Sequence, residues 1–186
     1  MDFHRPFSPD PGARISEALE AALEALKLVC REGEGARADP ARRRWVALGL
    51  VSALQAALVA ALSGYDTAKE DAVQDPSHPD RIAPVALLLR RARSRDFLND
   101  PERLELSGSQ QRAIDRIIGM RNAAVHALRV ETPETFVADA RAAVQLIRHL
   151  VLDAPAFGPA SVRLQVLLIA DALKALQVVL SPDAGD

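Results

Sequence analysis

The chain has 186 residues, 49% of them apolar and 26% charged, which excludes a wholly disordered protein and predicts one domain with a substantial core. Its only cysteine, Cys30, excludes an internal disulfide and a cysteine-based zinc site, and it suits a reducing compartment. The net charge of −2 is unevenly distributed, because residues 81–129 contain ten arginines, no lysine and five acidic residues, a local net charge of +5.

The first two predicted elements are helices. Residues 1–12 contain three prolines and are predicted to form a flexible lead-in to a single domain that spans residues 13–181. An apolar stripe predicts a first helix over residues 13–31, ended by Gly33 and Gly35. Asp39 followed by a proline predicts the start of a second helix, which stops at Gly64.

The second helix raises the question of a membrane span. Residues 46–62 carry no charge, but the stretch is short for a span of about 20 residues and contains polar side chains. We therefore expect a buried central helix and no membrane partner. Ser52 and Gln55 within it need hydrogen-bond partners, so they either satisfy backbone groups or line a cleft, and the first is the better account.

The rest of the chain also predicts helices. Residues 64–80 form the longest break, with a turn cluster at residues 75–80. Helices are predicted over residues 81–97, from about 109 with a bend at Gly119, from Thr132 as a cap through Val151, and over residues 160–180. The expected inward-facing residues of the third helix are Ile82, Val85, Leu88 and Leu89. The fourth helix carries Ile114, Ile117 and Ile118 towards residues 121–126.

No run of alternating residues flanked by hairpin turns is present, so no strand is predicted. The predicted fold class is all-α, a compact bundle of five to six helices. The arginine-rich segment 81–129 favours a ligand with a phosphate backbone. Alternatively, its arginines pair with acidic residues elsewhere or form solvated surface. The N-terminus lacks the layout of a secretory signal, so we expect a cytoplasmic location.

The segment Arg121-Asn122-Ala123-Ala124-Val125-His126 combines a permanent cation, a carboxamide and an imidazole. Arginine matches phosphate oxygens two at a time, and histidine exchanges protons near neutral pH. In an ideal helix Arg121 and His126 lie about 140° apart, so the arginine could bend over to share one ligand with the histidine. Such a pair also occurs by chance in an arginine-rich chain, as a structural or solvent-exposed pair.

The segment Ile117–Ala127, which reads IIGMRNAAVHA, resembles the signature of the HEPN superfamily. That resemblance implies a helical bundle, and many HEPN members are ribonucleases of toxin or defence type that dimerise to pair two motifs in one cleft. It assigns catalytic roles to Arg121, Asn122 and His126, with RNA or a nucleotide as ligand and no metal or cofactor. A tyrosine two residues after the histidine, a modification target in some toxins, is absent because Leu128 stands there and the only tyrosine is Tyr65.

Two classes of function follow from the resemblance. The first is a metal-independent endoribonuclease in which His126 takes a proton from an RNA 2′-hydroxyl, Arg121 holds the phosphate, and Asn122 orients the histidine or contacts the ligand. Its expected partners are RNA, a second copy of the chain in a homodimer, and an antitoxin or nucleotidyltransferase, although the missing tyrosine makes control by modification doubtful. The second is a non-catalytic module that binds a nucleotide, nucleic acid or protein. A purely structural helical partner is a third possibility.

Overall fold

The computed structural model describes residues 10–64, 71–126 and 132–181. The described residues form six helices and one short antiparallel ribbon, which confirms the predicted all-α bundle of five to six helices. Leu128, Tyr65 and residues 1–9 of the predicted lead-in lie outside this part of the chain. The helices are α1 (Pro11–Gly35), α2 (Arg43–Ser63), α3 (Val85–Ala92), α4 (Gly108–Val125), α5 (Phe136–Arg148) and α6 (Arg163–Val179).

Side-chain caps determine where several helices begin. Asp10 accepts hydrogen bonds from the first N–H groups of α1. Asp39, the predicted cap, accepts one from Ala41 at the short 3-10 turn before α2. At α4, Ser107 and Gln110 form a reciprocal capping box. The prediction that Gly33 ends the first helix is wrong. A Cβ at that position would lie 2.6 Å from Val179, so the glycine permits close packing of α6.

The second helix is the centre of the bundle, as predicted. It contacts α1, α3, α4 and α5, and nearly all its side chains from Val46 onward are buried. By length and composition, Pro40–Ser63 could cross a membrane, and 78% of its most apolar stretch is buried inside the fold. Gln55 donates to the carbonyl oxygen of Ala83 at 3.1 Å, while Ser52 is exposed. The structural interpretation of Gln55 is therefore confirmed.

The third predicted helix is much shorter than expected, and the prediction of no strand is wrong. Strand β1 (Gln74–Asp75) pairs antiparallel with β2 (His78–Ile82) across the predicted turn cluster, and α3 begins only after Pro84. Helical backbone is disfavoured before a proline, which accounts for the late start. Ile82 was expected to face inward, but on β2 it is 40% exposed. The other inward predictions for α3 are confirmed, since Val85, Leu88 and Leu89 are buried.

The second half of the chain also departs from the prediction at helix ends. The α4 helix runs unbroken through Gly119, where a bend was expected; Ile114 and Ile117 are buried and Ile118 is half-buried. The fifth helix begins at Phe136, and Thr132 does not cap it, because the intervening residues form a turn. After Arg148 the chain continues as a π turn (His149–Asp153), and α6 begins at Arg163 instead of residue 160.

Candidate functional site

The predicted site residues occupy the last turn of α4. Arg121 is half-buried, whereas Asn122 and His126 are exposed. His126 is the C-terminal cap residue, and its backbone N–H donates to the carbonyl oxygen of Asn122 at 3.0 Å. The motif therefore ends a helix, with its polar side chains open to solvent.

The structure brings two of the three side chains together. Arg121 donates through Nη1 to Oδ1 of Asn122 at 3.0 Å. Among the described residues, the ring of His126 is hydrogen-bonded to neither of them, and no carboxylate forms an ion pair with Arg121. The sharing of one ligand by Arg121 and His126 therefore stays a prediction.

The first half of α4 is bound to α5 through a buried carboxylate. Asp139, only 2% exposed, accepts two hydrogen bonds from the guanidinium of Arg116, at 2.6 and 2.7 Å, and one from the hydroxyl of Thr135 at 3.0 Å. The hydrogen bonds from Arg116 lower the pKa of Asp139 below its ordinary value, and burial opposes them. Sequence reasoning missed this cluster. The available signal was an acidic residue in the first turn of an amphipathic helix.

These contacts show at which end of the bundle the motif lies. Gln110 lines a cleft with Gln145, and Arg116 binds Asp139, so α4 and α5 run antiparallel. Since α5 starts only three residues before Asp139, the last residues of α4 extend beyond the start of α5. The guanidinium carbon of Arg43, the first residue of α2, lies 5.9 Å from the ring centre of Phe136. The end of α4 and the starts of α2 and α5 therefore share one end of the bundle, here called the motif end.

The arginine-rich segment divides into paired and unpaired side chains. Arg95 and Arg103 form ion pairs with Asp100, and Arg116 pairs with Asp139. Within the described residues, the other arginines of the segment form no ion pair with an acidic residue, and Arg129 lies outside the described ranges. Pairing with an acidic residue elsewhere in the fold is therefore confirmed for Arg116, and a phosphate ligand for the segment stays a prediction. The arginines without an ion pair are Arg81, Arg90, Arg91, Arg93, Arg112 and Arg121.

Two cavities lie at opposite ends of α5. One of about 300 Å³ is at the motif end, lined by Arg37, Arg43, Val46 and Phe136 among others. A larger cleft of about 450 Å³ is lined by Gln110, Gln145 and His149, where Nε2 of His149 lies 3.4 Å from the carbonyl oxygen of Glu102. No local pattern placed His149 at a cleft, because most of the lining residues come from a distant segment, residues 100–110.

In the described part of the chain, no three histidine, cysteine or acidic side chains lie close enough together to hold a metal ion. Cys30 is half-buried, and its thiol donates to the carbonyl oxygen of Ala172 at 3.8 Å. Burial, reinforced by the negative charge of Glu34, raises the pKa of this thiol. Because the thiolate is the reactive form, Cys30 is a poor nucleophile.

No protein-family model, curated protein or solved structure matches this chain.

Proposed function

We propose that this chain is a metal-independent endoribonuclease of the HEPN type, cytoplasmic and of toxin or defence character, with its site at the end of α4. The observation that carries the proposal is the placement of Arg121, Asn122 and His126 together at the end of one helix, with Asn122 and His126 exposed. A guanidinium without an ion pair to the described acidic residues is available to a phosphate, and an exposed imidazole without a hydrogen bond in the described structure is available to a proton.

The chemistry uses the RNA's own 2′-hydroxyl. His126 takes the proton from that hydroxyl, and the 2′-oxygen forms a bond to the adjacent phosphorus while the bond to the 5′-oxygen breaks. Arg121 holds two phosphate oxygens and stabilises the negative charge that develops on them. The products are a 2′,3′-cyclic phosphate and a 5′-hydroxyl, and the leaving 5′-oxygen needs a proton.

A symmetric dimer supplies that proton. One motif offers a single histidine, so a second copy of the chain, placed across a two-fold axis, provides a second His126 as general acid. The last turn of α4 extends beyond the start of α5, which leaves its exposed face open to such a partner. Gly119 lies on the same exposed face and has no atom within 4 Å of its Cβ position, so a partner backbone could approach it closely.

The test is cleavage of end-labelled RNA in the presence of a chelator. We expect cyclic-phosphate products from the wild type, a loss of roughly 10²–10⁴-fold for His126→Ala, and a loss for Arg121→Lys because a point charge cannot replace the planar guanidinium. His78→Ala is the matched control, since His78 is exposed on β2. DNA should remain intact, and light scattering should give a dimer. Equal cleavage by wild type and His126→Ala would refute the assignment.

A second candidate is a non-catalytic module that binds nucleotide or nucleic acid. The hydrogen bond from Arg121 to Asn122 favours this binding function. It holds the guanidinium against the carboxamide, whereas the ring of His126 is hydrogen-bonded to neither side chain in the described structure. Binding of RNA by a confirmed dimer, without cleavage of any RNA tested, would select this function over the nuclease.

A further inference from the structure

The first turn of α2 carries an exposed tryptophan. Trp45, the only tryptophan of the chain, is 41% exposed, whereas its neighbours Val46 and Ala47 are fully buried. Trp45 therefore presents a large aromatic surface to solvent at the start of α2.

Two arginines immediately precede this tryptophan and form no ion pair with an acidic residue in the described ranges. The guanidinium carbon of Arg44 lies 5.1 Å from the ring centre of Trp45, and that of Arg43 lies 5.9 Å from the ring centre of Phe136. Neither forms an ion pair within the described residues, while the preceding Arg42 pairs with Glu32 at 3.4 Å. The positive charge of Arg43 and Arg44 is therefore available to a ligand.

This cluster lies at the motif end of the bundle. The contact of Arg43 with Phe136 places the start of α2 beside the start of α5, and α4 finishes at the same end. An aromatic ring beside guanidinium groups that form no ion pair among the described residues suits single-stranded nucleic acids, because bases stack on aromatic rings and phosphates bind cations.

We propose that Arg43, Arg44 and Trp45 form a binding subsite for single-stranded nucleic acid, in which one base stacks on Trp45 and the adjacent phosphates contact the two arginines. The identity of RNA as the ligand of this subsite rests on the proposed function. The subsite extends the proposed RNA-binding surface from the end of α4 to the start of α2. It selects unpaired strands, since a base within a duplex cannot stack on a side chain.

The emission of the single tryptophan reports this contact directly. The full-length His126→Ala protein, which cannot consume the ligand, is titrated with a ten-nucleotide oligouridylate, and a DNA strand of the same length and an RNA duplex serve as comparisons. We expect saturable quenching by both single strands and little by the duplex. Binding should weaken as salt is raised, because phosphate contacts release counterions.

Substitutions distinguish stacking of a base on Trp45 from general electrostatic attraction to positive charge. Followed by fluorescence anisotropy of labelled RNA, Trp45→Ala should weaken binding about 5- to 140-fold, the range expected for the loss of one stacked base. Arg44→Gln should also weaken it, whereas the matched control Arg42→Gln removes an arginine that is already paired and should change it much less. Trp45→Phe retains a stacking ring and should bind better than Trp45→Ala.

The outcomes distinguish this subsite from the nuclease itself. Quenching without cleavage by the wild type would support the subsite and remove the nuclease proposal. Cleavage that depends on His126, with unchanged tryptophan emission and normal RNA binding by Trp45→Ala, would overturn the subsite alone. Quenching by vesicles of anionic phospholipid but not by RNA would also overturn it and identify the cluster as a lipid-binding surface.

Discussion

The two halves of α4 are built differently. The first half is capped by Ser107, buries Ile114 and Ile117, and is bound to α5 through Arg116. The second half carries the chemically distinctive residues and has one side-chain hydrogen bond in the described structure, from Arg121 to its neighbour. The first half positions the helix and the second presents its polar groups. Stability and activity should therefore respond to different substitutions.

The largest effect on stability is expected in the packed half. Ile117→Ala removes a fully buried side chain and should lower the free energy of unfolding by about 2–5 kcal/mol, because it leaves a cavity in the core. His126→Ala in the exposed half should change it by no more than about 0.5 kcal/mol. Urea unfolding followed by circular dichroism measures both. Similar losses for the two variants would show that the halves are not distinct.

A smaller loss is expected at the buried carboxylate. Asp139→Asn should cost roughly 1–3 kcal/mol, at the lower end because the side chain of Arg116 is 42% exposed. The lowered pKa of Asp139 means that its ionised form stabilises the fold above the ordinary aspartate range near pH 4. That contribution is lost as pH falls below this range and through the lowered pKa of Asp139.

The stability difference between wild type and Asp139→Asn should therefore shrink on acidification from about pH 6 to about pH 2. Thermal melts across this range measure it. A stability difference that stays constant with pH would mean that the negative charge of Asp139 does not contribute to the stability of the fold.

The smallest effect has the opposite sign. Gly119 is exposed within the continuous α4 and has open space around its Cβ position, so Gly119→Ala should raise the free energy of unfolding by about 0.5–1 kcal/mol. If a partner approaches this face closely in the dimer, the same substitution should weaken dimerisation, which analytical ultracentrifugation would detect. Destabilisation of the monomer would contradict the open environment of this glycine.

The sequence predicted what depends on local pattern. The cap at Asp39, the apolar run of α2 and the inward residues Val85, Leu88 and Leu89 of α3 follow from residues close together in the chain, and the structure contains all three. The ribbon of residues 74–82 was missed, because its stability involves a long-range contact. Arg91 on α3 donates to the carbonyl oxygens of Ala72 and Gln74.

The candidate site shows the same division. The motif at Arg121 and His126 was found because its residues are contiguous. Two other contacts join residues that are distant in the chain: the ion pair between Arg116 and Asp139, and the contact of Arg43 on α2 with Phe136 on α5. No local pattern predicts such contacts. The hydrogen bond from Arg121 to Asn122 was also not predicted, since helical spacing gives directions but not side-chain conformations.

The half-buried, weakly acidic thiol of Cys30 has a practical consequence. A cysteine introduced at Gly119 would be exposed and should react with a maleimide or nitroxide reagent much faster than Cys30 does. One label per chain on the outer face of α4 would then measure the separation between two copies by dipolar spectroscopy. A short separation places the two motifs across one groove, and a long one places them on opposite sides of the assembly.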